Sequence, residues 1–115
     1  MKMIHAIVRH ERFDFVKKAL EDVGCFGMTV SDVMGRGSQK GIRLPSRRGS
    51  IAIDFLPKVK IELVVKDRDL DAVVAAIERS ARTGKFGDGR IFIVPVERSI
   101  RVRTGEEERD EGRTG

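Results

Sequence analysis

The sequence predicts an α+β fold in which one antiparallel sheet carries two helices on a single face. Two observations predict it. Two stretches place apolar residues at three- and four-residue steps, the period of an amphipathic helix, and four others have the short apolar or alternating pattern of strands. Their order along the chain is strand, helix, strand, strand, helix, strand. At 115 residues, 40% of them hydrophobic, the chain has the material for one core.

Met3 to Val8 is short, apolar and rich in β-formers at its end, and reads as a buried strand. His5 lies inside it and His10 just beyond, too few histidines to build a metal site. Glu11 to Val23 carries Phe13, Val16, Leu20 and Val23 on one helical stripe, and Gly24 is placed to end the helix in the left-handed conformation. Gly27 to Met34 reads as a second strand. Gly35 to Ser50 then holds four glycines, a proline and five cations. A loop of that length in a small domain reads as an arm that orders on a ligand or partner.

Ile51 to Val65 is the longest strand candidate, with Val59, Ile61, Leu63 and Val65 on its apolar face and a bend expected at Pro57. Asp67 and Asp69 supply helix-start chemistry, and Leu70, Val73, Val74, Ile77 and Ala81 recur at helical spacing. Ile91 to Val96 is the fourth strand and Ile100 to Val102 a small fifth. From Thr104 onward there is no apolar residue, so a frayed tail is expected over 105–115, beyond a domain of residues 1–104. The order βαββαβ is the ferredoxin-like plan, and it leaves one sheet face to be covered by self-association.

The single cysteine, Cys25, excludes an intrachain disulfide and reads as a small core residue in a reducing, cytoplasmic setting. No stretch is long and apolar enough to span a membrane, so insertion is not expected. The net charge of +5 suits an anionic partner. Nucleic acid is disfavoured: with no Trp or Tyr, and only Phe55 near the start of the long third strand, the sheet lacks the aromatic platform on which this plan stacks bases.

The stretch Thr83-Gly84-Lys85-Phe86-Gly87-Asp88-Gly89-Arg90-Ile91-Phe92 carries the chemistry. Its glycines let backbone amides converge on one anion, and Lys85 and Arg90 add charge. It is not a P-loop, because Phe86 stands where Ser or Thr follows the lysine and the glycine spacing differs. From the residues alone, an anion site and a plain helix-ending turn stand level. Arg101 and Arg103, two apart, would share a strand face and add to a polyphosphate cradle. No nucleophile stands beside a base, so a switch is expected rather than an enzyme.

The chain resembles the PII nitrogen-regulatory signal-transduction proteins, of the type associated with ammonium channels. The resemblance rests on Gly27-Met28-Thr29-Val30, Gly37-x-Gln39-Lys40-Gly41, Asp54-Phe55-Leu56-Pro57-Lys58-Val59-Lys60-Ile61-Glu62, the stretch from Thr83 to Phe92, and Ile100-Arg101-Val102-Arg103-Thr104-Gly105. It implies a homotrimer with ATP or ADP in three clefts between subunits. The matching positions are Thr29, Gly37, Ser38, Gln39, Val64, Gly87, Asp88, Gly89, Arg90, Arg101 and Arg103. It also implies 2-oxoglutarate and Mg²⁺ at the base of the arm, the T-loop of residues 37–53, with Gln39, Lys40, Gly41, Lys58 and Gly87 around the effector and the Gln39 carbonyl on the metal.

Two departures are visible. Position 38, often arginine in the family, is Ser38, and the T-loop tyrosine that many relatives uridylylate is replaced by Ile51. Uridylylation by that route is excluded. The resemblance gives the T-loop an ammonium channel as its target, with Arg47 entering the pore and recruiting the protein to the membrane, or alternatively an enzyme of nitrogen metabolism.

Overall fold

The computed structural model describes residues 1–36, 42–46, 49–53 and 55–109, the two middle segments by their backbone. Strand β1 (Lys2–Val8) leads through a 3-10 turn, His10–Arg12, into helix α1 (Phe13–Asp22). Strands β2 (Thr29–Gly35), β3 (Ile42–Ser46), β4 (Gly49–Ile53) and β5 (Leu56–Val65) follow. A second 3-10 turn, Asp67–Asp69, opens helix α2 (Leu70–Ala81), and β6 (Gly89–Pro95), β7 (Arg98–Ile100) and β8 (Glu107–Arg109) complete the order.

The main sheet has the order β2-β5-β1-β6, antiparallel throughout. This is the α+β arrangement expected, with two helices and a four-stranded sheet. Alternation along the strands explains the two faces. Ile4, Ala6 and Val8 of β1 and Val59, Ile61, Leu63 and Val65 of β5 are buried against Val16 and Leu20 of α1 and Val73 and Ile77 of α2. Each of these valine, leucine and isoleucine side chains contributes about 1.5–3 kcal/mol by leaving water. The residues between them face the other way: Met3, His5 and Ile7 of β1, Lys60, Glu62 and Val64 of β5, and Arg90, Phe92 and Val94 of β6 lie on the open face. His5 Nδ1 stands 3.6 Å from Glu62 there.

Helix α1 ends as expected. Gly24 has φ +85°, its N–H donates to Glu21 O at 2.9 Å and the Cys25 N–H donates to Leu20 O at 2.8 Å, which satisfies two last-turn carbonyls. That turn seats Cys25 against the core, and burial raises its thiol pKa, with Asp69 adding to the shift.

Four expectations change. The long third strand divides into β4 and β5, and Pro57 causes no bulge. The β2–β5 register runs unbroken through Met34↔Pro57, because β1 pairs with β5 only as far as Val59 and no neighbour asks Pro57 for an N–H. The glycine-rich loop contains β3, paired with β4 from Ile42↔Ile53 to Ser46↔Gly49. The aspartates do not cap α2 with their side chains; Asp69 makes no capping bond, and Asp67 instead accepts from Lys2 Nζ at 3.1 Å. Finally, the polar segment beyond Thr104 is not wholly frayed: Glu107–Arg109 pairs with Arg98–Ile100, a strand that begins two residues before the small one read from the sequence. Arg98 and Arg109 both bond Glu107, at 2.7 and 2.9 Å, so charge pairing does what apolar burial does elsewhere.

Candidate functional site

The register of the sheet builds the site. Continue the β1–β5 and β1–β6 pairings one residue past Val8↔Val59 and Val8↔Gly89, and Arg9 falls between Lys58 on one side and Asp88 on the other. The contacts follow that row. Arg9 Nε donates to Asp88 Oδ1 at 3.0 Å and Arg9 Nη2 to the Phe86 carbonyl at 2.5 Å. Lys58 Nζ donates to the Gly87 carbonyl. Lys58 is buried, and desolvation followed by the nearby Arg9 charge lowers its pKa.

Asp88 holds the turn together from inside. Its Oδ2 accepts the N–H groups of Thr83 and Gly84, each at 2.8 Å, and its Oδ1 accepts Thr83 Oγ1 beside Arg9. The Thr83 hydroxyl, then the Thr83 and Gly84 amides and Arg9, hold its carboxyl well below the usual carboxylate range. Both oxygens are therefore engaged within the protein. What Asp88 has left for a ligand is its main-chain amide.

The last glycine of the turn has a different duty from the one its motif suggests. Gly89 has φ +112°, and a Cβ there would stand 1.7 Å from the Ile7 carbonyl oxygen. Glycine at this position is dictated by the close approach of β1 and β6. Arg90, next along β6, is exposed on the open face opposite Ile7 and makes no hydrogen bond or ion pair among the described residues.

The structure thus brings together Lys58, Gly87, Asp88, Gly89 and Arg90. Thr29 and Val64 lie on the same open face toward the β2 edge, Thr29 opposite Glu62 and Val64 two residues further along β5. Arg101 and Arg103 are not brought to the turn. They sit, exposed, in the connection of the β7–β8 hairpin, closed by Arg101 N–H to Glu106 O at 2.8 Å and Gly105 N–H to Arg101 O at 2.7 Å. Gly37, Ser38, Gln39, Lys40, Gly41 and Arg47 lie outside the described residues. Among the described residues, no three His, Cys, Asp or Glu side chains gather to hold a metal, and no helix is long and apolar enough to cross a membrane.

Sequence reasoning missed Arg9 and Thr83 as parts of this arrangement. Arg9 is 79 residues from Asp88 and belongs to no local motif. Only the pairing of β1 between β5 and β6 reveals it, and a register drawn from the alternation of both strands was the one available signal.

Residues 1–106 match the family model for nitrogen regulatory protein P-II. The chain is 55% identical over 106 residues to nitrogen regulatory protein P-II 2 of Methanothermobacter thermautotrophicus, covering 92% of each chain. It is 51% identical over 110 residues to nitrogen regulatory protein P-II of Pasteurella multocida, covering 96% of this chain and 98% of the relative. It is 52% identical over 110 residues to P-II 1 of Methanothermobacter thermautotrophicus, covering 96% of each. With its α+β architecture and a match over nearly its whole length, the chain belongs to the nitrogen regulatory protein P-II family and is a signal-transduction protein, not an enzyme.

Proposed function

We propose that this chain reports nitrogen and energy status by binding ATP or ADP, with Mg²⁺ and 2-oxoglutarate, and acts on an ammonium channel through the T-loop. The observation that carries the reading is the turn from Gly84 to Gly89, fixed from behind by Asp88, Arg9 and Lys58 and flanked by Arg90, a cation with no partner among the described residues. Such a turn offers main-chain donors and a guanidinium to a phosphate chain without needing to reorganise.

The donor set fits a nucleotide held between copies of the chain. Thr29 and Val64 offer one hydroxyl and one apolar wall for an adenine. Arg101 and Arg103, remote from the turn of their own subunit, would serve the turn of a neighbour in a homotrimer. The open sheet face, with Met3, Ile7, Val64, Phe92 and Val94 among its residues, is the surface that such an assembly would cover. Bound Mg²⁺ would screen the phosphate charge. With no carboxylate cage among the described residues, its protein contact would be the Gln39 carbonyl, the remaining ligands coming from phosphate, 2-oxoglutarate and water. Lys58, one of whose three N–H donors holds the Gly87 carbonyl, would pair through another with a carboxylate of 2-oxoglutarate beside Lys40 and Gly41.

Ligands would bias the T-loop between conformations that a partner reads, by no more than their difference in affinity for the two. Arg47 is assigned to the channel pore, which would draw a cytoplasmic protein to the membrane. Titration calorimetry with Mg-ATP, then with 2-oxoglutarate on the ATP-loaded protein, tests the sensor. Ordered binding is expected; binding of ATP without 2-oxoglutarate removes the effector roles of Gln39 and Lys58, and no binding of either removes the reading. Arg47→Ala should abolish channel block with ATP affinity unchanged, whereas unaltered block would redirect the T-loop to an enzyme of nitrogen metabolism.

A further inference from the structure

We infer that Arg9 is a positioning residue for the anion site, setting the direction in which the amides of the glycine-rich turn point. The inference rests on the nucleotide reading above and adds a residue that touches no ligand in it.

The argument is one of peptide geometry. Every described peptide bond is trans, so each N–H points opposite to the C=O of the same peptide plane. The plane joining Phe86 to Gly87 has its carbonyl held by Arg9 Nη2 at 2.5 Å. The plane joining Gly87 to Asp88 has its carbonyl held by Lys58 Nζ. Two consecutive carbonyls are thus drawn toward one pair of cations, and the N–H groups of Gly87 and Asp88 are aimed to the other side. Gly87, at φ +90°, has no side chain to resist rotation of either plane. A glycine turn without such a hold would sample both orientations, and half of them would present carbonyl oxygens to an anion.

Arg9 does this in a way Lys58 cannot. Its guanidinium grips two parts of the turn at once: Nε bonds the Asp88 carboxylate and Nη2 bonds the Phe86 carbonyl. The planar fork therefore fixes the carbonyl relative to the carboxylate that already gathers Thr83 and Gly84. A lysine could reach one acceptor or the other but carries no rigid fork. The side chain of Arg9 is about four-fifths buried, 21% exposed, so this geometry is not one of many that solvent would allow.

The test compares wild type, Arg9→Gln and Arg9→Lys for Mg-ATP affinity by calorimetry and for amide hydrogen exchange at Gly84, Gly87 and Asp88. Arg12→Ala, which loosens the helices away from the turn, serves as the stability control. Expected is a loss of at least tenfold in ATP affinity for Arg9→Gln, partial recovery in Arg9→Lys, faster exchange in both at Gly84, whose N–H is held by the Asp88 carboxylate that Arg9 anchors, and unchanged affinity in Arg12→Ala at a comparable fall in Tm. ATP affinity in Arg9→Gln within twofold of wild type overturns the inference, as does an equal loss in Arg12→Ala. If wild type itself binds no ATP, the nucleotide reading fails on its own. Exchange then decides: faster exchange at Gly84 in Arg9→Gln keeps Arg9 as the residue that sets the turn, and unchanged exchange removes it.

Discussion

The carbonyl oxygen of Ile7 lies 1.7 Å from the point a Cβ on Gly89 would occupy. Neither atom can retreat, because Ile7 and Val8 sit in the central strand, paired on both sides. Gly89→Ala should therefore destabilise the fold by about 3 kcal/mol or more, through backbone displacement and a φ that alanine avoids. Urea denaturation should show a lower midpoint with little change in slope. A variant that keeps wild-type stability would show that glycine is there for a ligand alone.

Arg12 ties the two helices together. Its Nε and Nη2 both donate to the Ser80 carbonyl, at 2.8 and 2.6 Å, and its guanidinium lies 4.1 Å from the ring centre of Phe15. Ser80 belongs to the last turn of α2, where carbonyls lack helical partners and a cation is favoured. Arg12→Ala should cost about 1.5–3 kcal/mol, the range for bonds to a charged group, and Phe15→Ala less, about 0.5–1 kcal/mol. Thermal unfolding of both variants checks the order.

The Asp88 carboxylate makes stability depend on pH in a definite direction. Its folded pKa is depressed below the value of about 3.9 expected in an unfolded chain. Its contribution is therefore fully present at neutral pH and is lost as pH falls below that unfolded value and through the folded one. Asp88→Asn should be clearly less stable than wild type at pH 7, and the gap should narrow steadily between about pH 4 and pH 2. A gap that stays constant would mean that the carboxylate charge is not what holds Thr83, Gly84 and Arg9.

Arg101 and Arg103 offer the complementary case, loss of binding without loss of fold. Both are exposed and form no side-chain bond among the described residues. Under the proposed nucleotide role, Arg101→Ala or Arg103→Ala should weaken Mg-ATP binding by about 1.5–3 kcal/mol, the value of a charge-assisted hydrogen bond. Tm of the ligand-free protein should stay within a degree or two. Calorimetry and thermal unfolding on the same samples separate the effects.

What could be read from the sequence was what is local. The helical stripe Val16 and Leu20, the alternation from Val59 to Val65 and the stop at Gly24 each follow from residues within one or two turns of each other, and each appears where expected. The glycine-rich turn was legible as a turn, with an anion site and a plain helix end standing level on the residues alone. Its inner architecture was not. The resemblance put Asp88 among the nucleotide-binding positions, yet its side-chain oxygens are engaged by groups that include one from the far end of β1. The β8 strand was missed for the same reason in reverse, since hydrophobic pattern is blind to a hairpin pinned by Glu107 between two arginines.

The place of β1 in the sheet has a consequence for how the molecule is made. Strand β1 leaves the ribosome before both of its neighbours, β5 and β6, and its hydrogen-bonding edges have no native partner until Leu56–Val65 and then Gly89–Pro95 have been synthesised. At ordinary elongation rates of about 5–20 residues per second the second of these is complete about 4–17 s later. Throughout that interval an apolar strand with Ile4, Ala6, Ile7 and Val8 has only local chain and chaperones for company, and both of its edges are open to a neighbouring nascent chain. The yield of native protein should therefore be governed less by final stability than by how quickly β5 closes on β1, and substitutions that slow that pairing should appear first as inclusion bodies.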